Sequence, residues 1–295
     1  MSLVEQAIAR MRNQAKAAAP KVAEANSSSI AASTPVAAIV GRAADPAKVA
    51  KRITIDRAIL RASGYLAEET QDRQFADHFR RIKRPLVDKA MSNDAPGEAQ
   101  VIMITSALPG DGKTFTSINL ALSMSMERDV SVLLVDCDVA KRHVGHITGL
   151  EDEMGLLDAL VDESVDIESL VIDTNLPRFS ILPAGKRVET TAELLSSNRM
   201  RQLITQLCLR NPRRIVLLDS PPLLITNEGR ALLKVAGQVV LVVLAGHTPS
   251  HAVQDAMALI GAPQAGGIIL NQVGHGGAAG YYYGYGSYGF EGNDA

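Results

Sequence analysis

With 295 residues the chain can bury one sizeable core and still carry arms and linkers, since domains commonly run to about 100–200 residues. Its 30 Lys and Arg against 32 Asp and Glu leave no basic footprint, which excludes nucleic acid as a partner recruited by bulk charge. Cys137 and Cys208 fit neither a disulfide framework nor a metal-ligand spacing and predict a reducing, cytoplasmic setting, while the longest apolar run, residues 239–245, falls well short of the roughly 18–20 residues that cross a bilayer.

In chain order, residues 1–16 predict a short amphipathic helix: Ser2 and Glu5 have capping-box spacing, and Val4, Ile8 and Met11 share a face. Residues 17–53 are an Ala/Ser/Pro-rich linker whose few large apolar groups cannot offset the entropy of ordering. Residues 54–95 form a charged helical segment suited to oligomerisation, with Phe75, Phe79, Ile82 and Leu86 at three- and four-residue spacing and Pro85 as an interruption. Between 96 and 275, β-rich runs at 101–105, 130–135, 179–182, 215–218, 239–243 and 267–270 alternate with helical stretches. That alternation predicts an α/β fold of the P-loop NTPase kind, a doubly wound, mostly parallel sheet with helices on both faces. The last segment, 276–295, is Gly-rich and holds five of the six tyrosines: Tyr281, Tyr282, Tyr283, Tyr285 and Tyr288.

The strongest motif is Ala107-Leu-Pro-Gly-Asp-Gly-Lys113-Thr114, placed after a predicted strand and opening a helix, the context in which a Walker A match becomes credible. Gly110 and Gly112 allow a tight bend that turns successive N–H groups inward, and the following helix sets its positive end beneath a phosphate. In such a loop Pro109, Gly110, Asp111, Gly112, Lys113, Thr114 and Phe115 are the nucleotide-binding candidates. Lys113 reaches the β- and γ-oxygens and Thr114 the magnesium. Ala107 stands where the pattern has its first glycine. Two further strands end in acids: Asp136 and Asp138, at i and i+2, lie on one side of an extended chain, and Asp219 follows a run of apolar residues before Pro221 and Pro222 end the strand. In doubly wound sheets that edge of the strands is where ligands bind. His143 with His146, and His247 with His251, have helical spacing but read as surface residues rather than a metal site.

Together the P-G-D-G-K-T loop, the Asp-x-Asp strand motif, L-L-D-S-P-P and the tyrosine cluster resemble the bacterial tyrosine kinases of exopolysaccharide synthesis, from about Asp77 to the C-terminus. The opening Met-Ser-Leu-Val-Glu-Gln-Ala, the stretch from Phe79 to Leu86 and the Tyr-Gly-Tyr-Gly ending further resemble the exosortase-associated autokinase type. The resemblance implies ATP and Mg2+ as cofactors. Lys113, Asp136 and Asp138 would be catalytic, Thr114, Asp138 and Asp219 would hold the metal, and Asn271 would lie by the adenine. The tail tyrosines would be autophosphorylated. It also implies a ring assembled in the unphosphorylated state through a helix on which Asp77, Arg80 and Lys83 take the motif positions. A membrane-embedded chain-length regulator would act as activator and a tyrosine phosphatase as its counterpart, placing the protein in the cytoplasm, peripheral at the inner membrane. A tyrosine hydroxyl, with a pKa near 10, is almost wholly protonated at neutral pH, so a carboxylate close to it can accept the proton as the bond forms, and Asp136 is the candidate. The alternative reading is a deviant-Walker ATPase switch of the septum-positioning or DNA-partitioning type. Those ATPases share a signature lysine five residues before the Walker lysine, where this chain has Leu108.

Overall fold

The computed structural model describes residues 51–66, 72–92 and 97–273. The helix expected over 1–16, the linker to residue 50 and the tyrosine tail lie outside the described residues.

Eight strands form one sheet in the order β1-β4-β5-β3-β6-β2-β7-β8. They are β1 (Arg52–Ile53), β2 (Val101–Ser106), β3 (Ser131–Asp136), β4 (Ile172–Thr174), β5 (Phe179–Leu182), β6 (Arg214–Asp219), β7 (Gln238–Leu244) and β8 (Ala265–Asn271). Every pairing is parallel except β4 with β5. β2 is buried along its whole length, and β3, β6 and β7 over nearly all of it, the mark of strands covered on both faces. Period two sorts their side chains. Leu133 and Val135 join one apolar cluster, with Leu203 and Leu232; Val132 and Leu134 join the other, with Leu120 and Met124 of the helix that follows the P-loop.

On that second face lie α1 (Arg57–Ala62), α2 (Asp72–Ala90) and α3 (Lys113–Ser125). α1 is capped by Asp56, whose Oδ1 accepts the N–H of Ala58 at 2.7 Å. The remaining helices are α4 (His143–Thr148), α5 (Leu156–Val161), α6 (Thr191–Ser196), α7 (Asn198–Arg210), α8 (Asn227–Leu232) and α9 (Ser250–Leu259).

Three expectations need adjustment. Pro85 does not interrupt its segment: α2 runs through it from Asp72 to Ala90. The carbonyl that loses its partner belongs to Arg81, an exposed residue that water can satisfy, and burial of Phe79 and Leu86 at 7% and 2% exposure offsets the cost. Residues 52–92 are not separate from the domain that follows. Leu86 shares the core of the sheet, and the buried side chain of Gln238 donates to the carbonyls of Leu86 (3.1 Å) and Ala99 (2.7 Å), tying α2 to β7. β1 and β4, at two and three residues, are too short to show a period and were not expected.

Candidate functional site

The central strand order puts the three motifs side by side. β6 lies between β3 and β2, and the register pairs Asp219 with both Asp136 and Ile104, so two carboxylates and the start of the P-loop leave the sheet at one level. The loop bends through Gly110 and Gly112, both left-handed at φ 91° and 92°, and Lys113 begins α3. Among the described residues the N–H groups of Gly110, Asp111 and Gly112 find no acceptor in the protein. A concave row of free amides at the foot of a 13-residue helix is an anion cradle.

The cradle is braced from the side by groups that spacing alone did not reveal. Asp111 Oδ2 accepts the N–H of Leu108 at 3.2 Å, and its Oδ1 accepts Thr248 Oγ1 at 2.7 Å. Thr248 Oγ1 in turn accepts the N–H of Leu244 at 2.9 Å, anchoring the loop to the end of β7. Asn271, at the end of β8, donates its Nδ2 to the Asp111 carbonyl at 3.0 Å. Its amide sits so close that a Cβ on Gly112 would fall 2.0 Å from Nδ2. Asn271 thus holds the loop through its side chain. The ring of Phe115 likewise turns away from the cradle and packs against Phe75 and Phe79 of α2, each centroid pair 6.3 Å apart, so only its backbone belongs to the loop.

Lys113 Nζ lies 2.9 Å from Asp138 Oδ2, and both side chains are almost wholly buried. Asp219 Oδ1 accepts Ser117 Oγ at 2.9 Å, a hydroxyl one turn into α3. Asp136 Oδ2 accepts the N–H of Gly145 at 3.0 Å, which fixes α4 against the site. Burial, then the neighbouring Asp219, push the Asp136 carboxyl up to about 7; the Gly145 bond works against the rise. Burial also lifts Asp219 to about 6, moderated by the charge of Lys113. His143 is held below its usual value by burial and then by Lys113, so it is neutral at neutral pH. Cys137, between the two acids, is a fully buried thiol pushed well up by burial and serves as packing.

Thr114 Oγ1, Asp136 Oδ1 and Asp219 Oδ2 are buried oxygens with no hydrogen-bond partner among the described residues. Unpaired buried oxygens are costly, and three hard ones beside a phosphate cradle fit Mg2+. Among the described residues no group of three or more acidic, His or Cys side chains could cage an ion unaided.

Of the oligomerisation candidates, Asp77 and Arg80 are exposed and pair with each other on α2. Lys83 turns inward: at 6% exposure its ammonium donates to the Ser123 carbonyl at 2.7 Å and meets Glu127 at 2.7 Å. It is therefore a joint between α2 and the end of α3.

Strand-borne acids, a P-loop and a helix beneath it, on a doubly wound parallel sheet, define a P-loop NTPase-like protein. A family model described as an AAA domain matches residues 99–262. The chain belongs to that AAA domain family. It is 36% identical over 147 residues to the tyrosine-protein kinase YwqD of Bacillus subtilis, covering 50% of this chain and 60% of that one. It is 31% identical over 194 residues to the tyrosine-protein kinase wzc of Salmonella typhimurium, covering 65% of this chain and 26% of that one. It thus spans less than two thirds of these relatives. Among solved structures the kinase domain of VpsO matches with TM-score 0.58 and 28% identity, covering 70% of this chain and 100% of that one. The kinase domain of the Escherichia coli tyrosine kinase ETK matches with TM-score 0.60 and 26% identity, covering 71% and 80%.

Proposed function

We propose that the chain is an ATP- and magnesium-dependent protein-tyrosine kinase whose acceptors are the tyrosines of its own tail. The observation that carries this reading is the convergence of Lys113, Asp136, Asp138 and Asp219 on one P-loop, in a chain similar to named tyrosine-protein kinases. Bound ATP and Mg2+ would supply the transferable phosphoryl group and neutralise its oxygens. The amides of Gly110, Asp111 and Gly112 would hold the phosphates. Thr114, Asp138 and Asp219 would hold the metal. Lys113, 2.9 Å from Asp138 Oδ2, would neutralise the β- and γ-phosphate oxygens. Asp136, poised near 7, accepts the proton of the incoming tyrosine.

The finer points rest on the sequence: the exosortase-associated type, a role in exopolysaccharide synthesis, a membrane-embedded chain-length regulator as activator, a phosphatase as counterpart and a cytoplasmic setting peripheral to the inner membrane. Among the described residues no helix is long and apolar enough to cross a membrane. For the proposed ring, Asp77 and Arg80 are the exposed pair available to a neighbour, with Lys83 acting from within.

Mass spectrometry of the purified full chain with ATP and magnesium tests the reading. Phosphate is expected on Tyr281, Tyr282, Tyr283, Tyr285 and Tyr288 and is expected to vanish in Lys113→Met; unchanged phosphotyrosine in that variant would refute the assignment.

A further inference from the structure

β8 ends the sheet, paired with β7 on one side and with no strand on the other among the described residues. Edge strands usually carry a charge or a proline that discourages further pairing. This one has neither between Ala265 and Asn271, and its one irregularity against β7 falls at its start. A Cβ placed on Gly267 would meet nothing within 4 Å, and Leu270 and Val273 are 54% and 48% exposed. Ile268 packs into one core cluster and Ile269 into the other, so the faces are covered and the edge itself is what stands open.

The rest of the chain begins where this edge ends. Beyond Val273 comes a glycine-rich connection, Gly274-His-Gly-Gly-Ala-Ala-Gly280, then Tyr281 to Tyr288, a run rich in β-favouring tyrosine with no Asp, Glu, Lys or Arg before Glu291. We propose that residues 281–288 of the unphosphorylated tail add an antiparallel strand to the open edge of β8 in the same chain. A connection this short permits only antiparallel pairing. It also gives the tail an effective concentration of the order of millimolar at that edge, above that of a second copy at micromolar protein. Period two sets Tyr281, Tyr283 and Tyr285 on one face and Tyr282 and Tyr288 on the other, where rings cover apolar surface around Leu270.

The pairing has a direction. β8 ends beside the P-loop, where Asn271 meets Asp111, so the added strand runs away from it, about 25 Å at roughly 3.3 Å per residue. On the kinase reading, this parks the later tyrosines away from their own site. Each phosphate, adding about 1.5–2 negative charges next to an uncharged apolar edge, then releases the strand.

Hydrogen exchange of residues 265–273 in the full chain tests this, because every second amide of β8 faces the open edge. We expect at least about tenfold slower exchange of those amides in the parent than in a variant carrying Tyr282→Pro and Tyr283→Pro, adjacent positions of which one must face β8 and lose a donor, with no dependence on protein concentration. Equal exchange in parent and variant overturns the proposal, and so does protection that grows with concentration, which assigns the edge to a second copy. After ATP and magnesium, phosphotyrosine with lost protection supports release, and phosphotyrosine with retained protection refutes it. Absence of phosphotyrosine counts against the kinase reading alone, and the proline comparison still decides the pairing.

Discussion

Replacing Asp136 with Asn should make the ligand-free chain more stable at alkaline pH while abolishing phosphorylation. The carboxyl is fully buried and its folded-state pKa rises from 3.8 to about 7, so folding favours its neutral form. The stability linked to that form is intact below about pH 4 and is lost as pH climbs through 7. At about 1.4 kcal/mol per unit, the shift costs roughly 4 kcal/mol at pH 8, where the buried carboxyl is ionised, against roughly 2 kcal/mol at pH 5, where folding must protonate it. Asn imitates the neutral acid and keeps an oxygen for the Gly145 amide at 3.0 Å, so it escapes this cost at both pH values. Urea unfolding in the presence of a chelator measures it: the variant's advantage should grow by about 2 kcal/mol between pH 5 and pH 8. An advantage that stays constant with pH, or a variant less stable than the parent at pH 8, would refute the argument that burial, with the Asp219 charge, strains this site. Gain of stability with loss of transfer is the exchange expected where function keeps a charge in a costly place.

Gly112→Ala should weaken binding of a fluorescent ATP analogue at least about tenfold, since the new Cβ would meet Asn271 Nδ2 at 2.0 Å and the backbone sits at φ 92°. Adding Asn271→Ala should restore only part, because the left-handed strain of about 1–3 kcal/mol remains; full recovery would assign the whole effect to the clash. Lys83→Met should cost about 1–3 kcal/mol in urea unfolding by leaving the Ser123 carbonyl without its 2.7 Å donor, whereas Arg80→Ala, at an exposed pair, should change stability by less than about 0.5 kcal/mol. Equal effects at the two positions would contradict the inward placement of Lys83.

The sequence by itself determined much of this protein. The six longer strands, the P-loop between a strand and a helix and the acids at strand ends could be read because each is a local pattern: period two or an unbroken apolar run, left-handed glycines, prolines that stop a strand. Lys113, Asp136, Asp138 and Asp219 meet where that reading placed them. What it missed depends on which residues face each other across the fold. Strand order sets Asp136 beside Asp219, whose charge adds to burial in raising Asp136, while Asp219 is itself raised first by burial. Ser117, Thr248 and Gly145 serve the site over separations of 102, 137 and 9 residues, and no motif spacing encodes such contacts. Helical period alone gives Lys83 the same standing as Arg80. Only the packing of α2 on α3 buries one ammonium against Ser123 and leaves the other guanidinium in solvent, because burial is a property of the partner surface and not of the residue.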